Sequence, residues 1–359
     1  MRKTELQISL TNLDHNISVI KSKTTSDIQA VVKANLYGLQ LEKIIEILDP
    51  QVESYAVITL DEARALRKLT KLPILLLQGA HENEDYEDIK QLELDFVLHS
   101  SWQIKGIDKH NLANNRLWLK LNTGMNRLGF DEQEFAEHYN LMTKKKFKDL
   151  VVMSHLASSS DISNEQNQSQ INKFNKITND ISNKKSLANS GALFNYPESH
   201  YDIVRTGMAL YGGKYQEFGI KSISCLRSKI ISINKVSKGE TVGYDGAWRA
   251  KQDTYIAAIG IGYGDGFPYF SGPYSVNING NTYETVGKIN MDLITINIGN
   301  EHEINVGDWV QLWGYETNLT ELSKSFHSIS YQLLTNISCL LYTSPSPRDL
   351  STSRMPSSA

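Results

Sequence analysis

Only two cysteines, Cys225 and Cys339, occur in the 359 residues. They are too few and too far apart for a disulfide framework or a zinc site, which points to a reducing cytoplasm. Long apolar runs are also missing: Leu72-Pro73-Ile74-Leu75-Leu76-Leu77 ends at Gln78, far short of the ~20 residues of a membrane span. Export is not expected either. Glu5, Gln7 and Asn12 interrupt the stretch behind Arg2 and Lys3 that would have to form the apolar core of a signal peptide. The charges nearly cancel, at a net -3, and nothing suggests a surface for nucleic acid. What remains is a chain that is 40% hydrophobic, which suits a soluble globular protein of two domains.

From residue 27 to about 205, short β-branched or leucine-rich runs alternate with longer amphipathic stretches. Strands are expected near 28–33, 54–58, 73–78, 94–98, 117–121, 150–154, 186–189 and 201–204. Strands separated in this way by helices predict an α/β fold, a parallel (β/α)8 TIM-like barrel. The stretch 165–183 is one such helix, with Asn164 as its cap and Ile171, Phe174, Ile177 and Ile181 recurring at three- and four-residue intervals. Beyond Ile223 the pattern changes to strands and turns, as in Ile256-Ala257-Ala258-Ile259-Gly260-Ile261, Ser275-Val276-Asn277-Ile278-Asn279-Gly280 and Leu293-Ile294-Thr295-Ile296-Asn297-Ile298. Their alternation predicts a mostly antiparallel β domain. The boundary falls near residue 222, giving a barrel over 1–222 and a β domain over 223–338, with residues 1–10 available to pair with the second sheet. The last 21 residues, 339–359, hold three of the eight prolines and six serines without a hydrophobic period. They are expected to be disordered or foreign to the fold.

A barrel of this kind carries its chemistry at the C-terminal ends of its strands. Lys33 follows the first strand in Val31-Val32-Lys33-Ala34-Asn35-Leu36-Tyr37-Gly38, where an apolar run delivers one lysine to its end and turns at once into a small-residue loop. That arrangement presents an amine to a buried aldehyde. Lys120 lies within the fifth strand with Arg127 beyond it, His155 ends the sixth, Asn189-Ser190 the seventh and Arg205 the eighth. Such a set at one rim favours a single site.

The octet around Lys33 closely resembles the pyridoxal-phosphate attachment motif of alanine racemase, a β/α-barrel family in which the lysine forms a Schiff base with the cofactor. The resemblance runs from about residue 5 to 338, through Lys120-Leu121-Asn122-Thr123-Gly124-Met125-Asn126-Arg127-Leu128-Gly129, Ser154-His155-Leu156-Ala157 and Val204-Arg205-Thr206-Gly207-Met208-Ala209-Leu210-Tyr211-Gly212. In the second domain it continues through Val242-Gly243-Tyr244, Gly262-Tyr263-Gly264-Asp265-Gly266 and Val286-Gly287-Lys288-Ile289-Asn290-Met291-Asp292.

Moving the α-proton of an amino acid needs an electron sink and one base on each face of the reacting carbon. The resemblance implies Lys33 for one face and Tyr244 for the other. A phenol with the usual pKa of ~10 is a weak base at neutral pH, so a positive charge from His155 or an arginine is expected beside it. Arg205 is implied to donate to the pyridine nitrogen. As a permanently charged group it cannot readily give that nitrogen a proton, which favours racemisation over transamination. Ser190, the amides of Gly207 and Met208, and the phenols of Tyr37 and Tyr331 match the phosphate-binding positions. Arg127 and the Met291 amide match those for the substrate carboxylate. Lys120 matches a lysine that the family carbamylates, Tyr263 one that narrows the entrance, and Asp292 and Asp265 ones that fix loops.

The resemblance further implies a head-to-tail homodimer whose second domains complete each other's sites, and a role in supplying D-alanine for peptidoglycan. A racemase of the same fold acting on serine or another amino acid is the nearest alternative. A non-catalytic pyridoxal-phosphate-binding protein is another, though it would not need the second domain. Departures from the family pattern are Gly264 in place of the more usual alanine, Ser158-Ser159-Ser160-Asp161 in an Ala-rich acidic loop, and the tail, which replaces a basic Arg-Val-Pro-Arg-like strand.

Overall fold

A computed structural model of the chain describes residues 4–39, 42–269, 273–315 and 319–337, and the backbone of 342–345. The chain begins with β1 (Thr4–Ile8) and then enters the barrel, whose strands are β2 (Asp27–Val31), β3 (Ser54–Val57), β4 (Ile74–Leu76), β5 (Asp95–Leu98), β6 (Arg116–Lys120), β7 (Asp149–Met153), β8 (Lys185–Ser186) and β9 (Ile203–Thr206). Each pairs in parallel with the next from β2 to β8, and β9 returns to β2. The ring closes between β8 and β9 by individual bonds: Asp202 N–H to Lys185 O at 3.1 Å, Arg205 N–H to Ala188 O at 3.0 Å, and Ser186 Oγ to Ile203 O at 2.6 Å. The strands are almost wholly buried, as expected of a parallel sheet covered by helices.

The helix expected over 165–183 spans Gln166–Thr178. Asn164 does not cap it directly; Glu165 takes that place, and the Asn164 side chain accepts from Gln166 N–H at 3.0 Å one residue earlier. Its buried face is partly polar, since Asn167 and Gln170 lie on it with Ile171 and Phe174.

The second domain is built on β10 (Ser224–Val236), followed by β11 (Thr241–Val242), β12 (Trp248–Arg249), β13 (Thr254–Ile259), β14 (Ser275–Ile278), β15 (Asn281–Val286), β16 (Ile294–Gly299) and β17 (Trp309–Trp313). The long strand changes partner along its length, pairing with β17 and β1 over its first half and with β13 over its second, with a register shift between Ile230 and Ser232. β11 and β12 form a separate antiparallel ribbon. β1 lies antiparallel to β10, so the first strand belongs to the second sheet while the helix after it, Leu10–Lys21, packs on the barrel. Asn16 fastens that helix by donating to Leu210 O at 3.0 Å and Lys221 O at 2.8 Å. Across β1 and β10, Arg227 pairs with Glu5 and lies 4.1 Å above the Trp309 ring.

Of the serine- and proline-rich tail, residues 342–345 form β18 (Tyr342–Pro345), parallel to β1. This differs from the lack of structure expected at those four positions. The outer edge of β1 offers amides and carbonyls that an extended segment of almost any sequence can satisfy. The rest of the tail lies outside the described residues. No helix among the described residues is long and apolar enough to cross a membrane.

Because β1 ties the start of the barrel to the second sheet and Leu6 within it is fully buried, Leu6→Ala is expected to cost about 2–5 kcal/mol of stability. Urea unfolding measures this, and a loss well below that range would show that β1 does not carry the joint.

Candidate active site

Lys33 stands two residues beyond the end of β2 and opens an unusual turn. Ala34, Asn35, Leu36 and Tyr37 all have positive φ, at 53, 51, 59 and 56°, and Gly38 follows at 81°. This is one turn of left-handed helix without glycine until its end, a conformation costing roughly 1–2 kcal/mol per residue. Leu36 N–H donates to Val32 O at 3.1 Å and Gly38 N–H to Ala34 O at 2.8 Å. The reversed hand lets both Lys33 and Tyr37 line one cavity.

That cavity has a volume of about 700 Å³ and lies at the C-terminal rim of the barrel. Ten of the residues expected from sequence line it: Lys33, Tyr37, Lys120, Arg127, His155, Ser190, Arg205, Gly207, Met208 and Tyr331. Its floor is cationic. Arg205 is 3% exposed and donates to Ser186 Oγ and to Ser154 O, both at 2.5 Å, and to Leu187 O at 3.3 Å. Burial disfavours its charge, but a guanidinium so bonded stays protonated at physiological pH. Lys120 is also buried, and burial together with Arg205, Arg127 and Lys33 pulls its amine down to about 7. The Lys33 amine is lowered too, by burial first and Arg127 second, against an opposing pull from Glu62.

His155 is held neutral by burial and by the same four cations. Arg205 Nη2 lies 3.3 Å from its Nδ1 and Asn189 Nδ2 3.3 Å from its Nε2, so a donor faces each ring nitrogen and a neutral ring accepts from one of them.

At the other end the cavity offers hydroxyls and amides. Ser190 Oγ accepts from Gly207 N–H at 3.1 Å and lies 3.2 Å from Thr206 Oγ1. A Cβ on Gly207 would fall 2.3 Å from Tyr37 Oη, so only glycine lets that phenol close over the loop. Burial raises the pKa of Tyr37, Tyr331 and Tyr215, so all three keep their protons as donors. Tyr215 escaped the sequence reading. It lines the cavity at 2% exposure, with its hydroxyl 2.8 Å from Ser160 Oγ, and no motif marks it beyond the preceding Gly212-Gly213. Gln170 also escaped it. From the helix Gln166–Thr178 its Nε2 donates to His155 O at 3.0 Å and Thr123 Oγ1 at 3.1 Å, while Oε1 accepts from Ala157 N–H at 2.9 Å. It thus steadies the loops that carry His155 and Arg127. In sequence it shows only as a polar residue interrupting an apolar stripe.

A family model for the N-terminal domain of alanine racemase matches residues 8–215, and one for the C-terminal domain matches 223–341. The chain belongs to the alanine racemase family. The alanine racemase of Vesicomyosocius okutanii is 38% identical to it over 342 residues, 93% of this chain and 96% of that one. The structure of the biosynthetic alanine racemase of Pseudomonas aeruginosa matches with a TM-score of 0.91 at 30% identity, covering 96% of this chain and 100% of the other. That of the alanine racemase of Bartonella henselae with covalently bound pyridoxal phosphate matches with a TM-score of 0.85 at 27% identity, covering 96% and 99%.

Four residues that the alanine racemase resemblance assigns to the site do not line this chain's cavity. Tyr244, Tyr263, Met291 and Asp292 are all exposed on the second domain, Tyr244 at 68% and Met291 at 56%. Tyr244 follows the β11 ribbon between Gly243 (φ 76°) and Asp245 (φ 58°), and Lys288 pairs with Asp245 at 2.5 Å. The remaining motifs interlock: Tyr263 N–H donates to Asn290 O at 3.1 Å and Gly264 N–H to Met291 O at 2.8 Å. A Cβ on Gly264 would come 3.0 Å from Met291 O, a tight approach that a small shift relieves, so the structure gives no requirement for glycine in place of alanine. Asp265 accepts from Gly262 N–H at 3.0 Å and so fixes this loop.

The depressed Lys120 amine has a consequence for stability. The folded chain loses this proton near 7 and the unfolded chain near the ordinary 10.5, so between those values the native state binds fewer protons and stability rises with pH. Lys120→Met removes the effect. In bicarbonate-free buffer the variant is expected to be more stable than wild type at pH 7, with the gap closing toward pH 10.5 in urea melts. A gap independent of pH would mean that the amine keeps its ordinary basicity.

Proposed function

We propose that this chain racemises alanine, interconverting its L and D forms with pyridoxal 5'-phosphate, in a site that a second copy of the chain completes. The observation that carries this reading is the cavity itself, in which Lys33 faces a cationic floor and a cluster of hydrogen-bond donors. The residues fit that cofactor. Ser190, the Gly207 and Met208 amides and the protonated phenols of Tyr37 and Tyr331 suit a phosphate, and the close approach at Gly207 leaves a cradle that a Cβ would fill. Arg205 is fixed by three strands where it can donate to the pyridine nitrogen, and Lys33 is the amine available for covalent attachment.

When bound, the cofactor supplies the electron sink that lets an amino acid's α-proton leave. Protein groups do the rest, Lys33, Lys120, Arg127 and Arg205 from one copy and Tyr244 and Met291 from the other. Arg127 and the Met291 amide hold the substrate carboxylate and so orient the α-carbon between two bases. Lys33 Nζ takes or returns the proton on the D face, and the Tyr244 oxygen of the second copy does so on the L face, as phenolate when it takes the proton and as phenol when it returns it. Because Arg205 keeps its proton, it would donate a hydrogen bond without giving the cofactor a proton, and so would favour racemisation over transamination. Lys120, with its amine lowered to about 7, is substantially neutral at physiological pH. A neutral amine is the form that adds carbon dioxide, and the resulting carbamate would place a negative charge beside Arg127. The exposure of Tyr244, Tyr263 and Met291 supports the head-to-tail homodimer, since none of the three lines the cavity that holds Lys33.

Chiral chromatography of purified protein incubated with a panel of L-amino acids tests the activity. D-alanine is expected as the main product, and Lys33→Ala should lose both racemisation and the cofactor that borohydride fixes on the Lys33 peptide. An active Lys33→Ala protein without added amine would sink the assignment. The shared site is tested by mixing inactive Lys33→Ala and Tyr244→Phe proteins. Activity should return toward about a quarter of wild type, because half the dimers are mixed and each has one intact site. If subunit exchange is verified and no activity returns, each site is built within one chain.

A further inference from the structure

We propose that Glu62 is a positioning residue for Lys33, holding in place the left-handed turn that aims the lysine and Tyr37 into the cavity. The inference rests on the reading of Lys33 as the cofactor-bearing amine. Four consecutive residues, 34–37, sit at positive φ with no glycine among them, so the turn must be gripped from outside. Glu62 does this with both oxygens. Its Oε1 accepts from Ala34 N–H, the first amide of the turn, at 2.6 Å, while Oε2 accepts from Ile58 N–H at 2.9 Å and Thr59 N–H at 3.3 Å just beyond β3. One carboxylate thereby ties the strained turn to the neighbouring barrel strand.

The carboxylate is itself fixed. Glu62 stands in the first turn of the helix Leu60–Arg67, where Thr59 Oγ1 accepts from Glu62 N–H at 3.2 Å in a reciprocal cap. At its far end the turn is pressed against the helix Ser330–Thr335, for a Cβ on Gly38 would fall 2.3 Å from Leu334 O. Tyr331, another cavity residue, belongs to that same helix. The negative charge of Glu62 also opposes that of Arg127 at the Lys33 amine. Its job therefore differs from that of an ordinary helix cap. It carries the position of β3 into the backbone that aims the lysine.

The test uses full-length protein freed of cofactor and titrated with pyridoxal 5'-phosphate, with covalent attachment followed by absorbance. Amide hydrogen exchange across 34–38 is measured before cofactor is added. Glu62→Ala is expected to lose about tenfold or more in cofactor affinity, the scale of one hydrogen bond to a charged group. The Ala34 and Gly38 amides should exchange faster. Glu62→Gln offers one acceptor oxygen and turns an NH2 group toward the remaining amides, so it should show a smaller loss in the same direction. Adding Asn35→Gly to either variant should recover most of the loss, since glycine adopts a φ of 51° without a Cβ penalty. General damage to the fold would not be repaired in that way. Wild-type affinity in Glu62→Ala overturns the proposal, as does a loss that Asn35→Gly leaves unrecovered; should Glu62→Ala fail to fold, Glu62→Gln decides on the same two criteria. If the wild type attaches no cofactor at Lys33, the underlying reading fails instead.

Discussion

Arg205 carries a permanent charge into the seam where the barrel closes, and much of the site follows from how that charge is accommodated. Its backbone amide bonds to Ala188 O and its guanidinium to Ser186, Ser154 and Leu187, so groups at the ends of β7 and β8 are drawn to β9 through one side chain. β8 is only two residues long, and regular pairing alone does not close the ring there. The same charge acts on its neighbours. It helps hold His155 neutral and helps lower the Lys120 amine. A single buried cation thus shapes the end of the barrel and the protonation of the groups above it, which is the coupling expected where water cannot screen a charge.

The second constraint is strain beside the reacting amine. A lysine at the end of a regular strand, followed by a right-handed turn, would send Tyr37 elsewhere. The left-handed turn brings Tyr37 under the Gly207 loop and against the Tyr211 ring, at 4.8 Å between centroids. Such a conformation persists only where its surroundings over-determine it. Here the surroundings are β3 through Glu62 and the helix bearing Tyr331 through the Gly38 contact, so two separate elements hold the part most strained.

The second domain makes the opposite choice. Its Tyr244, Tyr263, Met291 and Asp292 are presented outward on a ribbon and on two interlocked loops rather than buried, while its sheet is joined to the barrel through β1. A rigid joint serves a shared site well. If Tyr244 acts in another copy's cavity, its placement depends on how firmly each second domain is held to its own barrel, and the Arg227 contact between Glu5 and Trp309 lies across that joint.

Much of this was legible in the linear chain because it rests on local composition. Runs such as Leu117-Trp118-Leu119 and Leu150-Val151-Val152 can be little else than buried parallel strands, and a barrel then brings Lys33, Lys120, His155, Ser190 and Arg205 to one rim without further information. Tertiary structure decided what depends on partners far away in sequence. The turn after Lys33 is left-handed although Ala34, Asn35, Leu36 and Tyr37 give no sign of it, since its strain is offset by bonds to other elements. Glu62 had a visible local role, as the acid three residues after Thr59 at a helix start, but its grip on Ala34 needed β2 and β3 side by side. Tyr215 and Gln170 carry only faint local signals, because what they do is set by which loops the fold brings against them. The charge states belong to the same class: a lysine amine near 7 is a property of burial among other cations, which no stretch of sequence around Lys120 could specify.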